Sequence, residues 1–185
     1  MAVETQDIKT TPSPDDQANT ATQTAKYLSF FLGEEEYALG ILSVREIIGL
    51  IDITPLPQTP AYVKGVINLR GKIIPVIELR AKFGLDSVEY TEQTCVIVVE
   101  VGNESSDQHF EIGIIVDSVR EVLDIAGNQI DPPPSFGCSV PLNYITGIGK
   151  VREKVVVLLN IDEIVTSAEA EKLFGTSKGT DASSS

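Results

Sequence analysis

Ser43-Val44-Arg45-Glu46-Ile47 returns 75 residues later as Ser118-Val119-Arg120-Glu121-Val122. The surroundings return with it. An apolar-Gly-apolar run precedes each copy, Leu39-Gly40-Ile41 and Ile112-Gly113-Ile114. A proline-containing linker follows each, Ile53-Thr54-Pro55-Leu56-Pro57 and Ile130-Asp131-Pro132-Pro133-Pro134. Farther on, Tyr62-Val63-Lys64-Gly65 matches Tyr144-Ile145-Thr146-Gly147 at an offset of 82, and the run from Lys72 to Leu79 matches Lys154 to Ile161 at the same offset. Order and content are kept while loop lengths vary, the mark of an internal duplication. The chain reads as two copies of one small unit, and two such units gain by packing on each other. Their junction would form a groove, a preferred place for a binding site.

The units themselves read as β. Tyr27 to Leu32 and Tyr37 to Ile41 flank the polar turn Gly33-Glu34-Glu35-Glu36, which predicts a hairpin. Val66 to Leu69 and Ile73 to Leu79 flank Arg70-Gly71 and predict a second. Thr94 to Val101 and Phe110 to Val116, around the loop 102–108, predict a third. Val151 to Ile161 supplies a further strand pair or one long strand. Helix signals are short: Leu79 to Phe83 closing at Gly84 as a C′ glycine, and a C-terminal helix capped by Ser167 and stopped at Gly175. Many short strands between turns indicate an all-β sandwich or barrel with small helical caps. Residues 1–25 and 175–185 are polar and low in apolar content, so both are expected to be disordered tails around a folded 26–174. Its subdomains are expected at about 26–90 and 93–166, with interleaving possible.

Charge narrows the partners. The net charge is −13, and between residues 26 and 166 there are 20 acids and 11 bases, leaving −9 on the folded part. Such a body is repelled by nucleic acid and by anionic lipid. Cys95 lies in an apolar run and Cys138 in a loop, without a Cys-x-x-Cys or a nearby His, which reads as reduced structural thiols rather than a zinc site. Met1 to Thr24 lacks a signal-peptide layout, and no apolar run approaches the roughly 18 residues that span a bilayer. A cytoplasmic protein is expected.

Candidate chemistry is scarce. The single histidine, His109, borders a polar loop without a nucleophile paired by motif. The stretch Gly65 to Ile73 approximates a phosphate-binding loop, but five residues separate its glycines, and Ile73 stands where a hydroxyl is needed. No catalytic, metal or cofactor site is assigned. What remains is surface. Lys64, Arg70, Lys72, Arg80 and Lys82 face one acid, Glu78, within 64–82. This is either a local basic patch or a set of solvated strand-edge cations. Arg70, at a tight turn, can fork onto a carboxylate. Glu46, among Val44, Ile47 and Ile48, is either simply solvated or part of a mixed apolar and acidic contact strip. Strand alternation places it on the side of Val44. Phe136, after three prolines, either plugs its own barrel or anchors a partner.

Several blocks together resemble the CheW family of bacterial chemotaxis coupling proteins. They are Gly33 to Tyr37 leading into Val44-Arg45-Glu46-Ile47, then Thr59 to Val76 with its Asn68-Leu69-Arg70-Gly71 core, then Glu78 to Phe83, Gly113 to Val119, and Tyr144 to Gly147. The resemblance runs over roughly 26–170. It implies two small five-stranded β-barrels on a duplicated, partly strand-exchanged plan, without catalytic activity. It also implies coupling of methyl-accepting chemoreceptors to the histidine kinase CheA, whose regulatory domain has the same fold. By position it puts Val44, Glu46 and Arg70 at a receptor surface shaped by Gly65, and Ile53 and Phe136 at edges that meet the kinase. The resemblance implies a polar residue, usually Asp, at the place of Gly40. The rival readings are the kinase's own regulatory domain, a small ligand-binding barrel or enzyme, and a paralogue serving another motility array.

Overall fold

A computed structural model of the chain describes residues 23–103, 108–134 and 140–165. Each expected hairpin is present. β1 (Thr24–Leu32) and β2 (Glu35–Gly40) turn at Gly33, and β4 (Val63–Leu69) and β5 (Lys72–Glu78) turn at Arg70-Gly71. β6 (Cys95–Asn103) pairs with β7 (Gln108–Val116), and β10 (Ile145–Val151) with β11 (Lys154–Leu159). The two copies of the opening motif form β3 (Val44–Gly49) and β8 (Ser118–Ala126), and β9 is the pair Ile130–Asp131. Single helical turns α1 (Leu79–Lys82) and α2 (Ile161–Ile164) close the two halves.

The strands form two sheets, a five-stranded one in the order β3-β6-β7-β5-β4 and a six-stranded one in the order β8-β1-β2-β11-β10-β9. The units are therefore not the linear pieces 26–90 and 93–166. The first hairpin, β1-β2, belongs to the sheet of β8 to β11, and the central hairpin, β6-β7, joins β3 to β5. The exchange runs through two parallel pairings, Ile77 beside Ile114 and Leu159 beside Leu39. Each apolar-Gly-apolar strand thus lies against the β-hairpin of the other sequence repeat. The first strand also begins at Thr24, so Thr24 and Ala25, read above as tail, pair with Ala126 and Ile125.

Two expectations need correction. Neither ladder closes as a five-stranded barrel. In the five-stranded sheet the chain beyond β3 returns to the far edge only at a single bridge, Thr54 to Val66. In the other sheet the closing strand is broken into β8 and β9 by a 3-10 turn at Gly127–Gln129, which makes the sixth strand. A strand that must pair at both edges of a small twisted sheet has to bend; the second unit bends it at that 3-10 turn, and the first in the stretch between Gly49 and Thr54. The stretch 151–161, read as strand, ends in α2, the counterpart of α1 at the repeat offset. The helix expected over 167–175, with Phe136 and Cys138, lies outside the described residues.

The duplication is visible in register. β4 shifts register against β5 between Val63 and Gly65, and β10 against β11 between Ile145 and Gly147, 82 residues on. Each unit holds a small core of its own. Ile67, Ile74, Val76, Val96 and Val98 fill one, and Leu123, Ile125, Val156 and Leu158 the other. The largest core lies between the units. Phe30, Leu32, Tyr37 and Leu39 of one sheet pack with Ile77, Leu79, Ile97 and Ile112 of the other. Burying such side chains stabilises by about 2 kcal/mol each, so most of the cohesion depends on both units being present.

Candidate interaction site

Glu46 and Arg70 are brought together by the five-stranded sheet. β3 carries a bulge at Arg45, since Val44 opposes Val99 and Glu46 opposes the next residue, Val98. The extra residue twists the strand locally. Val44, Glu46 and Ile48 stay half-buried while Arg45 and Ile47 are exposed, so Val44 and Glu46 do share a burial class as alternation expected. Arg70 occupies the first position of a two-residue hairpin turn with φ +54, followed by Gly71 at φ +85. Both left-handed positions fit a type I′ turn, and the Asn68 side chain accepts the Gly71 N–H at 2.9 Å, which stiffens it. From that base the guanidinium forks onto Glu46: Nη1 to Oε1 at 2.7 Å and Nη2 to Oε2 at 2.9 Å. The hydrogen bond that Arg70 donates to Glu46 raises the Arg70 pKa further above its usual value. The strip is therefore a neutralised ion pair bordered in sequence by exposed Ile47 and Ile73. It is not a bare carboxylate.

Gly65 and Ile53 belong to a neighbouring feature. Thr54 N–H donates to the Val66 carbonyl at 2.8 Å and Val66 N–H to the Thr54 carbonyl at 2.9 Å. Gly65 is buried beneath this bridge with φ +142, and a Cβ there would stand 2.0 Å from the Thr54 carbonyl oxygen. Gly65 acts through the backbone, holding the closing segment. Ile53, next to the bridge, is half-buried against the core of Ile67 and Ile74. Phe136 lies outside the described residues. At Gly40, nothing lies within 4 Å of where a Cβ would be, so a side chain would fit there.

The basic patch read from 64–82 does not exist as free charge. Lys64 pairs with Glu78 at 3.2 Å and Lys72 with Glu111 at 3.2 Å, while Lys82 stands 4.1 Å from the centre of the Tyr62 ring. Arg80 forks onto Asp117. Glu78 lies within the run, but Glu111 and Asp117, like Glu46 opposite Arg70, come from segments distant in sequence, so local counting missed them. Glu78 itself is buried and also accepts the Tyr90 hydroxyl at 3.1 Å. Desolvation and that carboxylate push the Tyr90 pKa up to about 12. His109 is exposed on β7 beside Glu100, which also pairs with Arg45. The repeat offsets carry Glu46 to Glu121 and Arg70 to Arg152, and those two approach at 3.7 Å, with Arg120 3.2 Å from the same carboxylate. Among the described residues, no three His, Cys, Asp or Glu side chains are grouped to hold a metal ion. A cavity of about 600 Å³ lies in the second unit between Phe31, Tyr37, Ile145 and Lys154, away from the Glu46–Arg70 strip.

Two interleaved β units with a pre-organised polar and apolar strip on one outer face define a scaffold of the adaptor class. The comparisons carry this to a family. The CheW-like domain matches residues 26–169, and the chain belongs to the CheW family of non-catalytic chemotaxis scaffolds. It is 41% identical over 144 residues to the chemotaxis protein CheW of Klebsiella aerogenes, covering 78% of this chain and 83% of that one. It is 36% identical over 143 residues to the CheW of Helicobacter pylori, covering 77% and 82%. Its fold matches the crystal structure of the scaffolding protein TtCheW from Thermoanaerobacter tengcongensis with a TM-score of 0.70 at 35% identity, covering 80% of this chain and 96% of that one.

Proposed function

We propose that this chemotaxis adaptor couples the cytoplasmic tips of methyl-accepting chemoreceptors to the histidine kinase CheA, working in the cytoplasm at membrane receptor arrays. The observation that carries the reading is the bidentate Glu46–Arg70 pair on a rigid turn, in a chain of the CheW family. In this reading Val44, Glu46 and Arg70 contact the receptor, and Gly65 shapes that surface from beneath. Ile53 and Phe136 meet the kinase regulatory domain. A pre-formed arginine fork loses little side-chain freedom on binding, which favours it as an energetic centre of an interface. A receptor carboxylate reaching Arg70 must displace Glu46, so the pair tests the partner's charge as well as its shape. No reactive group is invoked. Binding free energy alone links receptor conformation to kinase activity.

Co-sedimentation tests the reading. A receptor signalling fragment assembled in vesicles or nanodiscs should bring down the kinase only when this chain is added. Folded protein that leaves the kinase in the supernatant, with active receptor and kinase in hand, overturns the function. Calorimetry with nucleotides and small metabolites should give no binding heat, whereas saturable heat would favour a ligand-binding barrel.

A further inference from the structure

The chain crosses between the two sheets at 40–44 and again at 116–118, and the crossings differ. The first is a 3-10 turn, Ile41–Ser43, with Leu42 94% exposed at its apex. The second is Asp117 alone, between β7 and β8, and it is held on several sides. Its N–H donates to the Phe31 carbonyl at 3.1 Å, and its Oδ2 accepts the Gly33 N–H at 2.7 Å. Arg80 donates from Nε to Oδ1 at 2.9 Å and from Nη2 to Oδ2 at 2.7 Å, while its Nη1 donates to the Asp86 carbonyl at 2.9 Å. Arg80 is only 13% exposed.

The geography gives this cluster a role. Arg80 stands on α1, which follows β5 of the five-stranded sheet. Gly33 is in the β1-β2 turn of the six-stranded one. One carboxylate receives donors from both. The repeat counterpart of Arg80 is Asp162 on α2, whose Oδ1 accepts, among the described residues, one N–H, from Gly102 of β6, at 3.2 Å. The same place in the fold is thus firmly tied on one side and lightly on the other.

The core between the units holds them together, but apolar contact has no direction and does not by itself fix rotation. Charge-assisted forked hydrogen bonds do. We propose that Arg80 is a positioning residue: through Asp117 it holds the two units at one setting, and so keeps the Val44–Glu46 strand, entered directly from the six-stranded sheet, in its binding geometry. The second half of this inference rests on the receptor reading above.

The test uses the full chain with Cys95→Ala and Cys138→Ala, spin-labelled at Asp52→Cys in one unit and Asn128→Cys in the other, both exposed positions. Pulsed electron double resonance reads the spread of distances between the units, without any partner. Arg80→Gln should at least double the width of that distribution. It should weaken capture of a receptor signalling fragment by about three- to tenfold, the scale of couplings carried through packed networks. Arg80→Lys, which keeps the charge but loses the fork, should fall between parent and Arg80→Gln. If Arg80→Gln does not fold, Asp117→Asn keeps an acceptor for Gly33 and should broaden the distances in the same way. A folded variant with an unchanged distance distribution overturns the clamp, and a broadened one with undiminished capture overturns the positioning role. A parent chain that binds no receptor fragment, with Arg80→Gln still broadening the distances, sinks the receptor reading and leaves the clamp supported.

Discussion

Gly65→Ala is the substitution whose consequence follows most directly from the geometry. The new methyl would stand 2.0 Å from the Thr54 carbonyl oxygen and 2.9 Å from the Pro55 Cα, both backbone atoms that cannot rotate aside. The bridge between Thr54 and Val66 must therefore open, with loss of two hydrogen bonds at about 1 kcal/mol each. Holding alanine at φ +142 adds roughly 1–3 kcal/mol of strain if the backbone does not relax. The expected loss is about 3–5 kcal/mol, a large share of a typical domain's stability, read as a fall in the urea midpoint. Hydrogen exchange supplies the mechanism, since the Thr54 and Val66 amides should lose protection while those of β6 and β7 keep theirs. Gly147→Ala is the internal control. There the obstacles are the Ile130 Cγ2 at 2.6 Å, which can turn, and the Asp131 carbonyl at 3.0 Å. Its cost should stay below about 2 kcal/mol, the lower end of small-to-large changes. A Gly65→Ala protein within about 1 kcal/mol of the parent, with both amides still protected, would refute the reasoning.

Other outcomes follow from the remaining contacts. Arg70→Glu should lower receptor-fragment affinity at least tenfold, on the scale of a truncated interface hot spot, with the thermal midpoint little changed because Arg70 is exposed. The exchanged pair Glu46→Arg with Arg70→Glu should recover part of that affinity in a pull-down, and equal capture by the single variant would remove Arg70 from the site. Burial pushes the Asp117 carboxyl up, but hydrogen bonds from Arg80 and Gly33 outweigh it and hold the pKa below the usual carboxylate range. Its contribution is then fully present above the unfolded value near 3.9 and is lost as pH falls through the lower folded value. Asp117→Asn should accordingly be destabilising at neutral pH, with the gap to the parent closing in denaturant titrations below about pH 4. Tyr90, raised to about 12, should give an ionisation step displaced above the ordinary tyrosine range in an ultraviolet titration, and Tyr90→Phe should remove that step. Because its folded value exceeds the unfolded one near 10, the stability it contributes is lost only as pH rises toward 12.

Much of the fold could be read from the chain because the signals are local or repeated. Hairpins announce themselves through turn residues between apolar runs, and the motif shared by Val44–Ile47 and Val119–Val122 exposed the duplication. The same offsets foretold α2 from α1, and Glu121–Arg152 from Glu46–Arg70, although neither was drawn from them. Residue type marked Arg70 and Glu46 separately as surface candidates.

Which residues meet was a different matter. The exchange of β1-β2 and β6-β7 between units depends on pairings such as Ile77 with Ile114, and hydrophobic alternation is equally satisfied by either partner sheet. The basic run 64–82 looked unbalanced because Glu46, Glu111 and Asp117 neutralise it from other strands. The bulge at Arg45 and the forked pair depend on register, which a period of two leaves open by whole steps. Sequence by itself determined most of the hairpins, their duplication and the family. Only the tertiary structure decided which charges cancel, which glycine lies beneath a bridge and how one carboxylate joins two units, because contacts between distant segments are set by packing, not by neighbours along the chain.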